Sequence, residues 1–212
     1  SYNASYSGDA NNLPAHSACE PFTVSKADTS TSTTVIREDT NAAVPNGGSI
    51  PLGTSVHDTA TVGTQVNGFV ISGTVTYHFF SDGTCTNEVG VGEQVTMSGG
   101  LVPDSSSHGP LAVGSYSFMA HYNGDGNYNP SDSACEPFSV SKADTTTSTT
   151  IVVDSDGGLS SVIHDTATVG PQVNGFVISG SVTYYFYTAI DCTGGSTSET
   201  VTMAGGAVPP SS

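Results

Sequence analysis

The chain has 212 residues, and its 3 Lys plus Arg against 19 Asp plus Glu give a formal net charge of -16. That balance excludes a nucleic-acid partner, which needs clustered cations against phosphate, and an electrostatic hold on an anionic membrane surface. Apolar residues make up 35%, enough for small sandwich cores, and 25 glycines suit short strands joined by tight turns.

In chain order, Tyr6-Ser7-Gly8-Asp9-Ala10-Asn11 comes first, followed by Ser17-Ala18-Cys19-Glu20-Pro21-Phe22 and the hinge Ser25-Lys26-Ala27-Asp28. The tract Thr29-Ser30-Thr31-Ser32-Thr33-Thr34 reads as a β-branched opening strand with a polar outer face, with O-glycosylation as its rival reading. Four further strands are expected at residues 55–62, 74–80, 93–97 and 116–122. In the second, Val75, Tyr77 and Phe79 share one face; in the fourth, Tyr116, Phe118, Ala120 and Tyr122 do. Asn46-Gly47-Gly48, Asn67-Gly68, Asp82-Gly83, Ser98-Gly99-Gly100 and His108-Gly109-Pro110 punctuate them as turns. No run approaches the ~20 apolar residues of a membrane-crossing helix. The opening at Ser1, with no basic-then-apolar leader before it, reads as a processed or excerpted chain.

The sequence then repeats itself. Tyr122-Asn123-Gly124-Asp125 and Ser133-Ala134-Cys135-Glu136-Pro137-Phe138 restate the opening segment; Asn67-Gly68 and Cys85 recur as Asn174-Gly175 and Cys192. The stretch Arg37 to Gly53 is longer than its counterpart Asp154 to Leu159, as an opening loop tolerates. Short strands with frequent turns, arranged in repeats, predict an all-β chain of tandem β-sandwiches. Residues 1–27 are expected to be the last strands of one unit, 28–143 a complete unit, and 144–212 the first strands of a third. The two partial units need completion, by continuing repeats or by neighbouring copies joined head to tail.

The pattern Tyr122-x-Gly124-Asp125-x-Asn127-Tyr128-x-Pro130, preceded by Gly114-Ser115-Tyr116, resembles the bacterial immunoglobulin-like repeats of the group-3 type, as does Gly73-x-Val75-Thr76-Tyr77. That resemblance implies Ig-like sandwiches strung along secreted or surface proteins as stalks and adhesins. The first copy departs from it, with Asn11-Asn12-Leu13-Pro14 in place of Asn127-Tyr128-Asn129-Pro130, and the family often lacks cysteines.

Four cysteines allow three connectivities. The repeat selects Cys85 with Cys135 inside the complete unit and leaves Cys19 and Cys192 for a neighbouring copy, which places the protein in an oxidising, extracellular compartment. The Asx-rich loop Asp125, Asn127, Asn129, Asp132 has two readings: a Ca²⁺ site of oxygen ligands, or turn chemistry in which Asp and Asn cap their own backbone. No other cofactor is expected. Asn3-Ala4-Ser5 is a glycosylation sequon. His57-Asp58 and His164-Asp165 invite a catalytic reading, but neighbours on a strand face opposite ways, so no catalysis is expected. Tyr122 and Tyr6 stand where a sandwich clamps a corner with a tyrosine. The functional expectation is a structural, end-joined filament or cell-surface stalk whose partner is itself. The alternative is an adhesin segment gripping glycan or protein through its loops.

Overall fold

The computed structural model describes residues 1–155 and 158–212; positions 156 and 157, within the short counterpart of the Arg37–Gly53 loop, lie outside the described residues. The chain is all-β, with several sheets arranged as in a β-sandwich. In order, the strands are β1 (Ser5–Tyr6), β2 (Ala15–His16), β3 (Ser30–Arg37), β4 (Ser49–Pro51), β5 (Val56–Gly63), β6 (Thr74–Phe80), β7 (Glu93–Thr96), β8 (Gly114–Tyr122), β9 (Ser131–Asp132), β10 (Glu136–Ser141), β11 (Thr146–Ser155), β12 (Val162–Gly170), β13 (Ser181–Tyr187) and β14 (Ser196–Thr202). The strands expected from alternation are present as β5, β6, β7 and β8. The tract from Thr29 to Thr34 falls almost wholly in β3, as β-branched residues favour.

Residues 28–143 hold two facing layers. One is the antiparallel pair β3–β5; the other runs β4-β10-β8-β6-β7, with β9 added to β8 and β4 parallel to β10. The alternation puts Val75, Tyr77 and Phe79 of β6, and Phe118, Ala120 and Tyr122 of β8, inside. They meet Val35 and Val56 from the opposite layer in one cluster and Ala60 in a second. The second cluster is rich in tyrosine, and each ring keeps its hydroxyl satisfied. Tyr77 donates to the Pro103 carbonyl at 2.9 Å, Tyr122 to that of Ser72 at 2.8 Å, and Tyr128 to that of Phe69 at 2.6 Å. Tyr122 is thus the corner clamp that the sequence pattern suggested. Tyr128 also accepts the Val66 N–H at 2.8 Å, so one phenol secures both arms of the turn between β5 and β6.

On either side, the same local geometry recurs. β1 and β2 pair Tyr6 with Ala15, as β8 and β9 pair Tyr122 with Ser131. β11 pairs β12 as β3 pairs β5, and β13 pairs β14 as β6 pairs β7. The correspondence reaches single hydrogen bonds. The Asp58 N–H donates to Ser105 Oγ and the Asp165 N–H to Ser211 Oγ, each at 2.8 Å. Tyr184 donates to the Pro209 carbonyl at 2.9 Å, as Tyr77 does to that of Pro103.

Truncating Phe118 to Ala at the centre of the first cluster is expected to cost about 3–5 kcal/mol. Tyr128→Phe, which leaves the Phe69 carbonyl and the Val66 N–H without a partner, should cost about 1–3 kcal/mol. Urea denaturation of the two variants checks both sizes and their order.

Candidate functional site

The loop after β6 is built around one carboxylate. Asp82 accepts hydrogen bonds from the backbone N–H groups of Thr84 and Asn87 and from the hydroxyls of Thr84 and Thr86. These bonds, the Thr86 hydroxyl first, hold its pKa well below the ordinary carboxylate range. The folded loop presents Cys85 with a left-handed φ of 54° toward β10, where it forms a disulfide with Cys135. The bridge spans 50 residues and ties the loop after β6 to the start of β10. Cys19 and Cys192 are free, exposed thiols.

The interior of the central sandwich also holds an acidic side chain. The alternation of β5 turns Val56, Asp58 and Ala60 inward and His57 outward, so the His57-Asp58 pair is split between two faces. Outside, His57 Nδ1 meets Glu38 Oε1 at 2.9 Å. Inside, Asp58 is fully buried, and neither of its carboxylate oxygens has a hydrogen-bond partner. Its pKa is pushed up to about 8, by burial first and then by the nearby Glu136 carboxylate; the Thr59 and Thr34 backbone nearby opposes the shift without meeting either oxygen in a hydrogen bond. Burial raises Glu136 as well, opposed by the neighbouring Thr33 hydroxyl. The sequence reading missed this pair because it weighed Asp58 only against His57. The inward position of an Asp between Val56 and Ala60 was the available signal.

The Asx-rich loop uses its side chains on itself. Asp125 Oδ1 accepts the N–H groups of Asn127 and Tyr128 at 2.7 and 2.9 Å, and Oδ2 accepts the N–H and hydroxyl of Ser72. Burial acts to raise the Asp125 pKa, but these bonds together lower it. Asn129 donates to Asp28, and Asp132 pairs with His121. The turn-chemistry reading therefore describes these contacts. Among the described residues no three His, Cys, Asp or Glu side chains gather as a metal-holding group. The first copy repeats the turn: Asp9 Oδ1 accepts the N–H groups of Asn11 and Asn12, which help hold its pKa down at about 2. Tyr6, in the clamp position, donates to Asp9 instead of to a carbonyl across a sheet. Asn3 is exposed. Lys26 is exposed too, with its ammonium donating to the Asp125 carbonyl, while Lys142 stays in solvent.

A wide concavity belongs to the last part of the chain. Between β11–β12 and β13–β14 lies an open groove of about 860 Å³, lined among others by Ile151, Ile163, Tyr184, Phe186 and Cys192. The lining mixes these apolar side chains with polar ones such as His164, Asp165 and Glu199. No family model, curated protein or solved structure matches the chain.

The sign of the Asp58 shift makes a testable claim. In the unfolded chain the carboxyl titrates near ~3.9. The folded state therefore keeps a proton that the unfolded state releases, and the stability this contributes is full below ~pH 4 and lost as pH rises towards 8. Asp58→Asn is expected to add about 1–3 kcal/mol at pH 8 and almost nothing at pH 4. Denaturation at the two pH values reads the difference, and equal gains at both would refute the assignment.

Proposed function

We propose that the protein is a structural component of an extracellular filament or cell-surface stalk, built of tandem Ig-like sandwich units joined end to end, with no catalytic role. In this reading residues 1–27, 28–143 and 144–212 belong to three successive units. The observation that carries it is the recurrence of whole contact sets on both sides of the central sandwich, down to Asp58–Ser105 and Asp165–Ser211. A chain that repeats one module in line, with no positively charged face and little charged surface, is suited to spanning distance. The disulfide fits an oxidising location, and among the described residues no helix is long and apolar enough to cross a membrane.

One contact between successive modules favours a defined joint. Asn67-Gly68 and Asn174-Gly175 form matching two-residue hairpin turns, with φ of 49° and 77° in the first and 42° and 80° in the second. In the second turn the Asn174 amide donates to the Gly53 carbonyl of the central sandwich at 2.8 Å. In the first, Val66, Phe69 and Val70 are exposed. The same tip is the feature that favours the alternative, an adhesin segment, because an exposed aromatic at a loop apex is the natural anchor for glycan or protein.

Electron microscopy of the purified protein separates the two readings. The structural reading expects linear or helical polymers with a regular axial repeat. A population of isolated particles that binds immobilised glycans, and loses that binding in Phe69→Ala, would replace it with the adhesin reading.

A further inference from the structure

Four asparagines of the chain precede a glycine: Asn46, Asn67, Asn123 and Asn174. Asparagine is thermolabile because the backbone nitrogen of the next residue can attack its side-chain amide carbon and expel ammonia. Glycine leaves that nitrogen most open, having no Cβ to shield it. The fold treats the four pairs differently. The Gly47 N–H donates to the Pro137 carbonyl at 2.7 Å, so its nitrogen is engaged. The Asn123 amide is fixed by hydrogen bonds of 3.0 to 3.2 Å to the Thr74 carbonyl and the Thr74 and Thr76 hydroxyls. In the two Val-Asn-Gly-Phe-Val turns, 66–70 and 173–177, the N–H groups of Gly68 and Gly175 donate to no acceptor among the described residues.

These two turns differ in one contact. Asn67 is exposed, and its amide meets no partner among the described residues. Asn174 Nδ2 donates to the Gly53 carbonyl of the central sandwich at 2.8 Å. Gly53 is suited to that approach: its φ is +80°, and a Cβ there would stand 2.8 Å from Asn174 Nδ2. Glu38 and Asp39 line the small cavity at the same place.

We propose that Asn174 is a deamidation site, and that its conversion to aspartate and isoaspartate releases the last part of the chain from the central sandwich. Its role as a slow release of the joint between successive units rests on the end-joined reading above; the chemistry does not. The Gly175 nitrogen loses its proton to solvent and bonds to Asn174 Cγ. The Cγ–Nδ2 bond breaks, and the nitrogen takes up a proton and leaves as ammonia. Water then opens the succinimide ring at either carbonyl, giving aspartate from one side and isoaspartate from the other. Both products replace the amide donor by a carboxylate. Two acceptors then face each other at Gly53, beside the carboxylates of Glu38 and Asp39. Isoaspartate also adds a carbon to the main chain within a turn set by two positive φ angles. The Gly53 contact sets the pace as well. The amide has to give up that bond as it is attacked, so Asn174 reacts roughly two- to tenfold more slowly than Asn67, the size of one net hydrogen bond.

The test ages the 212-residue chain in mildly alkaline buffer. Trypsin cuts after Lys142 and leaves Asn174 as the single asparagine of residues 143–212, so the mass gain of one amide-to-acid exchange there reads this site directly. A second protease separates Asn67 from the other asparagines of residues 38–142. Conversion at both sites is expected, slower at Asn174 by the factor above. Release is read by native digestion at the exposed Lys142, which lies between the two parts. Asn174→Asp should be cut severalfold faster than the parent, and Asn67→Asp at the parent's rate; both asparagines are exposed, so folding is not at stake. A fragment 143–212 that keeps its mass throughout removes Asn174 as a site. Cleavage of Asn174→Asp at the parent's rate, or equal acceleration by Asn67→Asp, overturns the release. A chain that converts and loosens as expected but forms no linear polymer under the electron microscope keeps the release and removes the stalk reading.

Discussion

The pairing of β6 with β8 is the contact on which the rest of the central sandwich depends. It joins segments some forty residues apart, so it is bought with loop closure and repaid by burial of Val75, Tyr77 and Phe79 against Phe118, Ala120 and Tyr122. Everything nearby is arranged to hold it. The Asp82 loop aims Cys85 at the start of β10, the disulfide fixes β10 beside β8, and Ser117, on the face of β8 opposite to Phe118, donates to the Asp82 carbonyl at 2.7 Å. Tyr122 and Tyr128 then pin the far end to the carbonyls of Ser72 and Phe69. A sheet face is stable only under a covering layer, and this pairing is what brings that layer into register over β3 and β5.

Much of this was legible in the residues. Alternation in Val75-Thr76-Tyr77-His78-Phe79 assigns both strand and face because the side-chain period of a strand is two. The Asn-Gly turns name their own geometry because only Asn and Gly take two successive positive φ angles cheaply. The repeat made Cys85–Cys135 the natural pair. What was hidden was hidden for physical reasons. β4 is only three residues, and its parallel alignment with β10 is a long-range choice that no local pattern encodes. The Asp125 loop has the composition of a cation site, and only the position of Ser72, far away in sequence, shows where its second oxygen is used.

The buried Asp58 stands against the economy of the rest. An unpartnered carboxylate in an apolar layer is costly, and the protein avoids the cost by keeping it protonated beside Glu136. The same position is filled by Asp165 in the last part of the chain, where Oδ1 again lacks a partner. In the central sandwich Asp58 is thus a residue whose burial favours the fold less as pH rises.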